Sequence, residues 1–180
     1  MRINLSKRQT IVIISAVVIC LAVAVPLIVV AIKRYKISMK TSNNLGDKSL
    51  PRGYRNNNPL NIRITGERWI GKVSPNTDGS FEQFESMGYG FRAALKTIQN
   101  YISKGYNTIE KIITRWAPPQ DNNNTTSYIA NVASRTGISK TQEISRSDRE
   151  KLISIVYAMA ISENGSAPQR SDIEAGWDMI

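Results

Sequence analysis

Apolar residues take over the chain at Ile11 and hold it until Lys33. Residues 11–32 read IVIISAVVICLAVAVPLIVVAI, with no charge in 22 positions and only Ser15 clearly polar. A helix needs about 20 such residues, at ~1.5 Å each, to cross ~30 Å of hydrocarbon. The pattern therefore predicts a transmembrane helix over residues 11–32. Lys7 and Arg8 stand before it; Lys33, Arg34 and Lys36 stand after it, with Tyr35 at an interfacial position. Pro26 falls inside the run, where it can bend a helix. The rival reading is a cleaved signal peptide with Ala22-Val23-Ala24 as its cleavage site. The apolar run continues past that point, whereas a signal-peptide apolar region is ~7–15 residues long. An uncleaved single-pass anchor in a lipid bilayer is the better reading.

Beyond the anchor the pattern becomes mixed. Residues 33–50 are polar and basic with Ser, Asn and Gly, and read as a linker. Residues 51–180, about 130 in number, suffice for one modest core. Four segments carry helical periodicity. Gly90–Lys104 places Phe91, Ala94, Leu95, Ile98, Tyr101 and Ile102 on one stripe. Thr108–Trp116 has Thr108 as its cap and Ile109, Ile112, Ile113 and Trp116 on one face, and Ala117-Pro118-Pro119 stops it. Thr125–Thr136 turns Tyr128, Ile129 and Val132 inward and ends at Gly137. Ser147-Asp148-Arg149-Glu150 has the form of a capping box and opens a helix from Asp148 to about Glu163. Between Leu60 and Phe84 the apolar positions are sparse, which predicts a small hairpin or irregular loops. The fold class is mostly α: one transmembrane helix followed by a small α(+β) domain.

Charge changes this picture in one respect. The chain carries +10. Residues 1–50, including a basic tail over 1–10, hold eight Lys/Arg against one acid. Residues 51–180 hold sixteen basic and thirteen acidic side chains, only +3. The excess belongs to the membrane flanks, so no nucleic-acid partner is indicated. Basic residues flank both sides of the span, slightly more after it than before, so charge determines its direction poorly and weakly favours a cytoplasmic domain. There is no histidine, and the single cysteine, Cys20, lies in the apolar run. That removes Ser-His-Asp and Cys-His nucleophile systems and His/Cys zinc sites. No metal and no cofactor is called for.

Three features are candidates for chemistry. Glu163 falls four residues past Met159 on the stripe formed by Leu152, Val156 and Met159, at the end of an apolar helix face, and Asn164-Gly165 follows it. A carboxyl there is placed as a general acid would be. Arg55-Asn56-Asn57-Asn58-Pro59-Leu60-Asn61-Ile62-Arg63 is a turn by composition. Its clustered amides also suit the hydroxyl and N-acetyl groups of sugars. Trp116-Ala117-Pro118-Pro119-Gln120-Asp121-Asn122, followed by Thr125, Thr126 and Tyr128, joins two helices through a polar loop. Either it is a capped loop or it forms one wall of a cleft. Trp69, Phe81, Phe84, Trp116 and Tyr128 are stacking surfaces for a sugar or, more often for such residues, core packing.

These blocks together resemble the lysozyme-like proteins of phage virions, often described as structural proteins. The likeness runs through RNNNPLNIR, Trp69-Ile70-Gly71, GYGFRAALKTIQNYI, WAPPQDNNNTTSYI and the helix ending in Glu163-Asn164-Gly165, nearly all of residues 51–180. In glucosaminidases and lytic transglycosylases the helix that ends in the catalytic Glu precedes the Asn-rich stretch. Here the order is reversed, as in a circular permutation of that lysozyme-like core. The resemblance implies that Glu163 is catalytic and that Asn57, Asn58 and Asn61 line the substrate cleft; Trp116 and Tyr128, as stacking surfaces, are the further candidates for binding substrate. It implies peptidoglycan glycan strands as substrate and other virion proteins as further partners. The bond cut would be the MurNAc–GlcNAc β-1,4 linkage. A two-carboxylate hydrolase would need a second acid ~5–9 Å away; Glu67, Asp78, Glu82 and Glu85 are the candidates. A lytic transglycosylase needs only one Glu. The alternative is an inactive descendant that serves as a virion structural or peptidoglycan-binding part. If the domain cuts peptidoglycan, it must face the cell wall.

Overall fold

The computed structural model describes residues 7–180; residues 1–6, within the expected basic tail, lie outside the described residues. The chain divides after Lys36 into two compact units.

The first unit is helix α1, Lys7–Ser38, whose last two residues belong to the second unit. It is 32 residues long and is helical through Pro26. Within it, Val18–Ser38 is long and apolar enough to cross a membrane, by length and composition. Val18, Ile19, Leu21, Val23, Leu27 and Ile28 are each 56–65% exposed. Apolar surface left in water costs about 25 cal/mol per Å². This helix therefore presents a continuous apolar surface that its own unit does not cover.

The second unit, Ile37–Ile180, has helices as its regular elements, including one 3-10 turn at Pro119–Asp121, joined by irregular stretches of which residues 56–86 form the longest. Its elements are α2 (Arg52–Arg55), α3 (Met87–Ser103), α4 (Ile109–Trp116), α5 (Thr125–Thr136), α6 (Arg149–Asn164) and α7 (Arg170–Asp178). The core is assembled from the stripes that periodicity predicts: Phe91, Leu95 and Ile98 of α3, Ile109, Ile112 and Ile113 of α4, and Leu152, Ile153, Ile155 and Met159 of α6 are all fully buried. α7 lies along α3, and α5 packs between α4 and α6.

α3 starts three residues before the predicted Gly90 because Ser86 is extended and Met87 opens the helix. Gly88 and Gly90 in its first turn obscure the periodicity, and glycine is a poor helix former. Packing requires Gly90, since a Cβ there would overlap the main-chain carbonyl of Asn57. Gly176 of α7 likewise sits against Phe91 and the Arg92 amide. α3 is thus clasped by the Asn-rich turn and by α7 through backbone approaches that only glycine permits.

Three expectations are corrected. Residues 37–50, read as linker, are built into the second unit: the Ser42 amide donates to Asp172 Oδ1 at 3.0 Å, and the Asn44 amide donates to Asn57 Oδ1 at 2.8 Å. The capping box does not form. Asp148 is the N-cap of α6, but its side chain caps no helix amide and instead accepts from Lys151 Nζ at 3.0 Å, and Glu150 pairs with Arg149 and Arg170. The β component amounts to two isolated antiparallel bridges, Arg63 with Phe81 and Lys72 with Phe84, and no strand forms among the described residues.

Candidate functional site

The site begins with the buried stripe of α6. Leu152, Val156 and Met159 are 0% exposed, and the next position on that stripe, Glu163, emerges half-buried at the last turn. Gly165 ends the helix in the left-handed region at φ 73°. Both carboxylate oxygens of Glu163 are held. Asn61 Nδ2 donates to Oε2 at 3.0 Å, and the Tyr128 hydroxyl donates to Oε1 at 2.9 Å. Three parts of the chain far apart in sequence therefore meet at one carboxylate.

Each arm of this clamp has its own support. Tyr128 is presented by α5, whose N-terminus is fixed by Asn124 Oδ1 accepting from the Ser127 amide and by the Thr125 hydroxyl donating to the Ala117 carbonyl at 2.6 Å. Burial first, and then the charge of Glu163, pushes the Tyr128 hydroxyl well above its ordinary pKa. It therefore stays protonated and acts as donor. Asn61 sits at φ 52°, a left-handed conformation that Asn tolerates better than most residues. The neighbouring Asn164 donates from Nδ2 to the Pro59 carbonyl at 2.7 Å and to the Ala160 carbonyl at 2.9 Å, stitching the end of α6 to the Asn turn. Gly53 of α2 lies beneath both amides; a Cβ there would meet Asn164 Oδ1 and Asn61 Oδ1.

The predicted site residues divide into two groups. Asn61, Trp116 and Glu163 line one cavity of about 230 Å³, together with Arg63, Phe81 and Asp121. Asn57 and Asn58 do not reach it. Both are 0% exposed. Asn57 donates to Asn43 Oδ1 and to the Phe84 carbonyl. Asn58 donates to the Ile62 and Glu82 carbonyls and accepts from the Ile62 amide, each at 2.9 Å. They frame the turn: both N–H donors of each amide are taken and neither side chain is exposed. Tyr128 is not among the residues that line this cavity and reaches Glu163 from α5.

The cavity opens into a wing of about 620 Å³ that shares Asn61, Arg63, Trp116 and Asp121 with it. Trp69, Lys96, Asn100, Tyr101, Lys104 and Arg115 line the wing. Trp116 meets Tyr101 edge-on, ring centres 6.4 Å apart. Of the four acids named as second carboxylates, only Glu67 lines this space. Asp78 is committed to Arg52 in a two-bond fork at 2.8 and 2.6 Å, which holds its carboxyl well below the usual range. Glu82 is fully buried and paired with Lys72 at 2.8 Å, and Glu85 is exposed elsewhere. Sequence reasoning missed Asp121, which lines both parts of the cleft. Its signal was its place in the WAPPQD loop, the segment already suspected of forming a cleft wall. Among the described residues no three His, Cys, Asp or Glu side chains converge as metal ligands.

No protein-family profile matches the chain. It is similar to Protein P5 of Pseudoalteromonas phage PM2, with 39% identity over 132 residues, covering 71% of this chain and 80% of that protein. The phage association implied by the motifs stands; a lysozyme-like relation is not part of this match. The chain belongs to the family of phage proteins that includes Protein P5 of phage PM2.

Proposed function

We propose that this chain is a membrane-anchored virion protein that cleaves the glycan strands of peptidoglycan, with Glu163 as its acid–base group. The observation that carries the reading is the clamp on Glu163 at the floor of a cleft walled by Asn61, Trp116 and Phe81. Amides and aromatic faces are the surfaces that bind sugars, and a fixed carboxyl is what glycosidic cleavage needs. Asp121 and Glu67 are the other acids in the cleft, and neither has a hydrogen bond that fixes it against Glu163. This favours a one-carboxyl mechanism. Glu163 gives its proton to the bridging oxygen as the C1–O bond breaks. The carboxylate then takes the proton from the C6 hydroxyl of the same sugar as that oxygen closes on C1. The product is a 1,6-anhydro end, and Glu163 regains its proton.

A second reading rests on the same clamp. Donors on both oxygens also suit a carboxylate whose task is to tie α5, α6 and the Asn turn together, leaving a domain that binds glycan without cutting it. The anchor serves either reading. It keeps the domain at a bilayer, with the domain on the cell-wall side. The full-length protein in detergent micelles, assayed on purified peptidoglycan, separates the two. Cleavage by the natural protein and its loss in Glu163→Gln support the enzyme. Binding without cleavage by both supports the structural role.

A further inference from the structure

The wing beside the Glu163 cavity is lined by four cations, Arg63, Lys96, Lys104 and Arg115, against two acids, Glu67 and Asp121. None of the four forms an ion pair within 4.0 Å among the described residues. Their placement is ordered. Lys96 and Asn100 stand four residues apart on α3, and Lys104 at its C-cap continues the row at the same spacing. Arg115 approaches from α4 with its guanidinium 5.7 Å from the centre of the Tyr101 ring. Trp69, in the same wing, has a buried indole N–H with no acceptor. Neutral sugar rings are bound by amides and aromatic faces; unpaired cations around a spare donor call for a ligand that brings anionic and acceptor oxygens.

We propose that the wing binds the carboxylate-bearing peptide substituents of the glycan strand, with Lys96, Lys104 and Arg115 receiving the carboxylates and Asn100 and Trp69 the peptide carbonyls. This rests on the reading that the adjoining cavity holds the glycan. On such a strand the sugar ring seated against Trp116 carries its acidic peptide to one side, and the wing opens from the cavity at Trp116, Arg63 and Asp121. The protein therefore selects strands whose peptides are intact, and Lys96 and Lys104 determine that selectivity. The anionic backbone of a nucleic acid is the competing occupant, disfavoured by the +3 balance of residues 51–180.

The test uses full-length protein in detergent micelles and two substrates: purified sacculi, and the same glycan stripped of peptides by an amidase. Sedimentation measures binding, and release of soluble sugar measures cleavage. We expect binding to intact sacculi to exceed binding to stripped glycan by about tenfold, since each exposed pair is worth up to about fivefold. The excess should vanish in 0.5 M salt. Lys96→Ala/Lys104→Ala should remove the excess while leaving the melting curve and the stripped-glycan reaction unchanged. Equal binding of both substrates by the natural protein overturns the inference, as does an equal loss on both in the double variant. Displacement of sacculi by duplex DNA, lost in the same variant, assigns the wing to nucleic acid and also overturns it. Because sedimentation reads preference without cleavage, failure of the enzymatic reading and failure of this inference give different results.

Discussion

Replacing Asn58 by Ala should damage the fold far more than replacing Asn61. Asn58 is 0% exposed, and its side chain makes three bonds to main chain: to the carbonyls of Ile62 and Glu82, and from the amide of Ile62. Removing the amide loses three hydrogen bonds at about 1 kcal/mol each and leaves the Ile62 amide and the Glu82 carbonyl dry, a further penalty of about 1–3 kcal/mol, while the Ile62 carbonyl still accepts from the Glu82 amide. The expected cost is about 4–6 kcal/mol, a large part of the ~5–15 kcal/mol that holds a domain together. At this size each kcal/mol is about 3–5 °C in Tm, so Asn58→Ala should lower Tm by about 10 °C or more, if it folds at all. Asn61→Ala loses one bond to a half-buried carboxylate, at about 1 kcal/mol, and puts Ala at φ 52°, at about 1–2 kcal/mol, so about 2–3 kcal/mol together. Thermal melts of the full chain in detergent, followed by near-ultraviolet circular dichroism, separate the two. A Tm loss below 3 °C for Asn58→Ala, accompanied by lost glycan binding, would refute the framing role and return Asn58 to the cleft.

Tyr128→Phe keeps the ring and removes the donor to Glu163; stability should fall by about 1 kcal/mol, while peptidoglycan turnover falls on the order of 10²-fold, as for a misplaced catalytic group. Unchanged turnover counts against the clamp. Gly53→Ala should cost about 1–3 kcal/mol through overpacking against Asn164 and Asn61, and a melt at natural Tm would show that α2 yields easily. Tyr54, buried and donating to the Ser166 carbonyl, has its hydroxyl pushed up to about 12 by burial. The folded pKa lies above the unfolded value of ~10, so this contribution is intact below pH 10 and is lost as pH rises from 10 toward 12. Alkaline melts of natural and Tyr54→Phe protein should diverge over that window; parallel curves would contradict the assignment.

The sequence made the helices legible where periodicity, caps and stops agreed, as in α5, which runs from Thr125 to Thr136 and ends at Gly137 as expected. It misled where a residue's use depends on distant contacts. The amides of Asn57, Asn58 and Asn61 are chemically identical on paper. Only the tertiary fold places the first two against main chain and the third against Glu163. The glycines of α3 hid its first turn because their purpose is to admit the Asn57 carbonyl and the neighbouring chain. Polar composition at residues 37–50 suggested a free linker, but Ser42 and Asn44 offer main-chain amides that Asp172 and Asn57 accept. The meeting of Glu163 with Asn61 was anticipated from motif order. The role of Tyr128 as its second donor, and the cationic wing beyond it, were not, because both depend on how α3, α4 and α5 pack.

Mass spectrometry of the products released from purified peptidoglycan by the full-length protein tests the central claim most directly. The account predicts fragments ending in 1,6-anhydro sugars from the natural protein and none from Glu163→Gln of equal Tm. Reducing ends in place of anhydro ends would contradict the one-carboxyl mechanism. The same fragments from Glu163→Gln would remove Glu163 from the chemistry altogether.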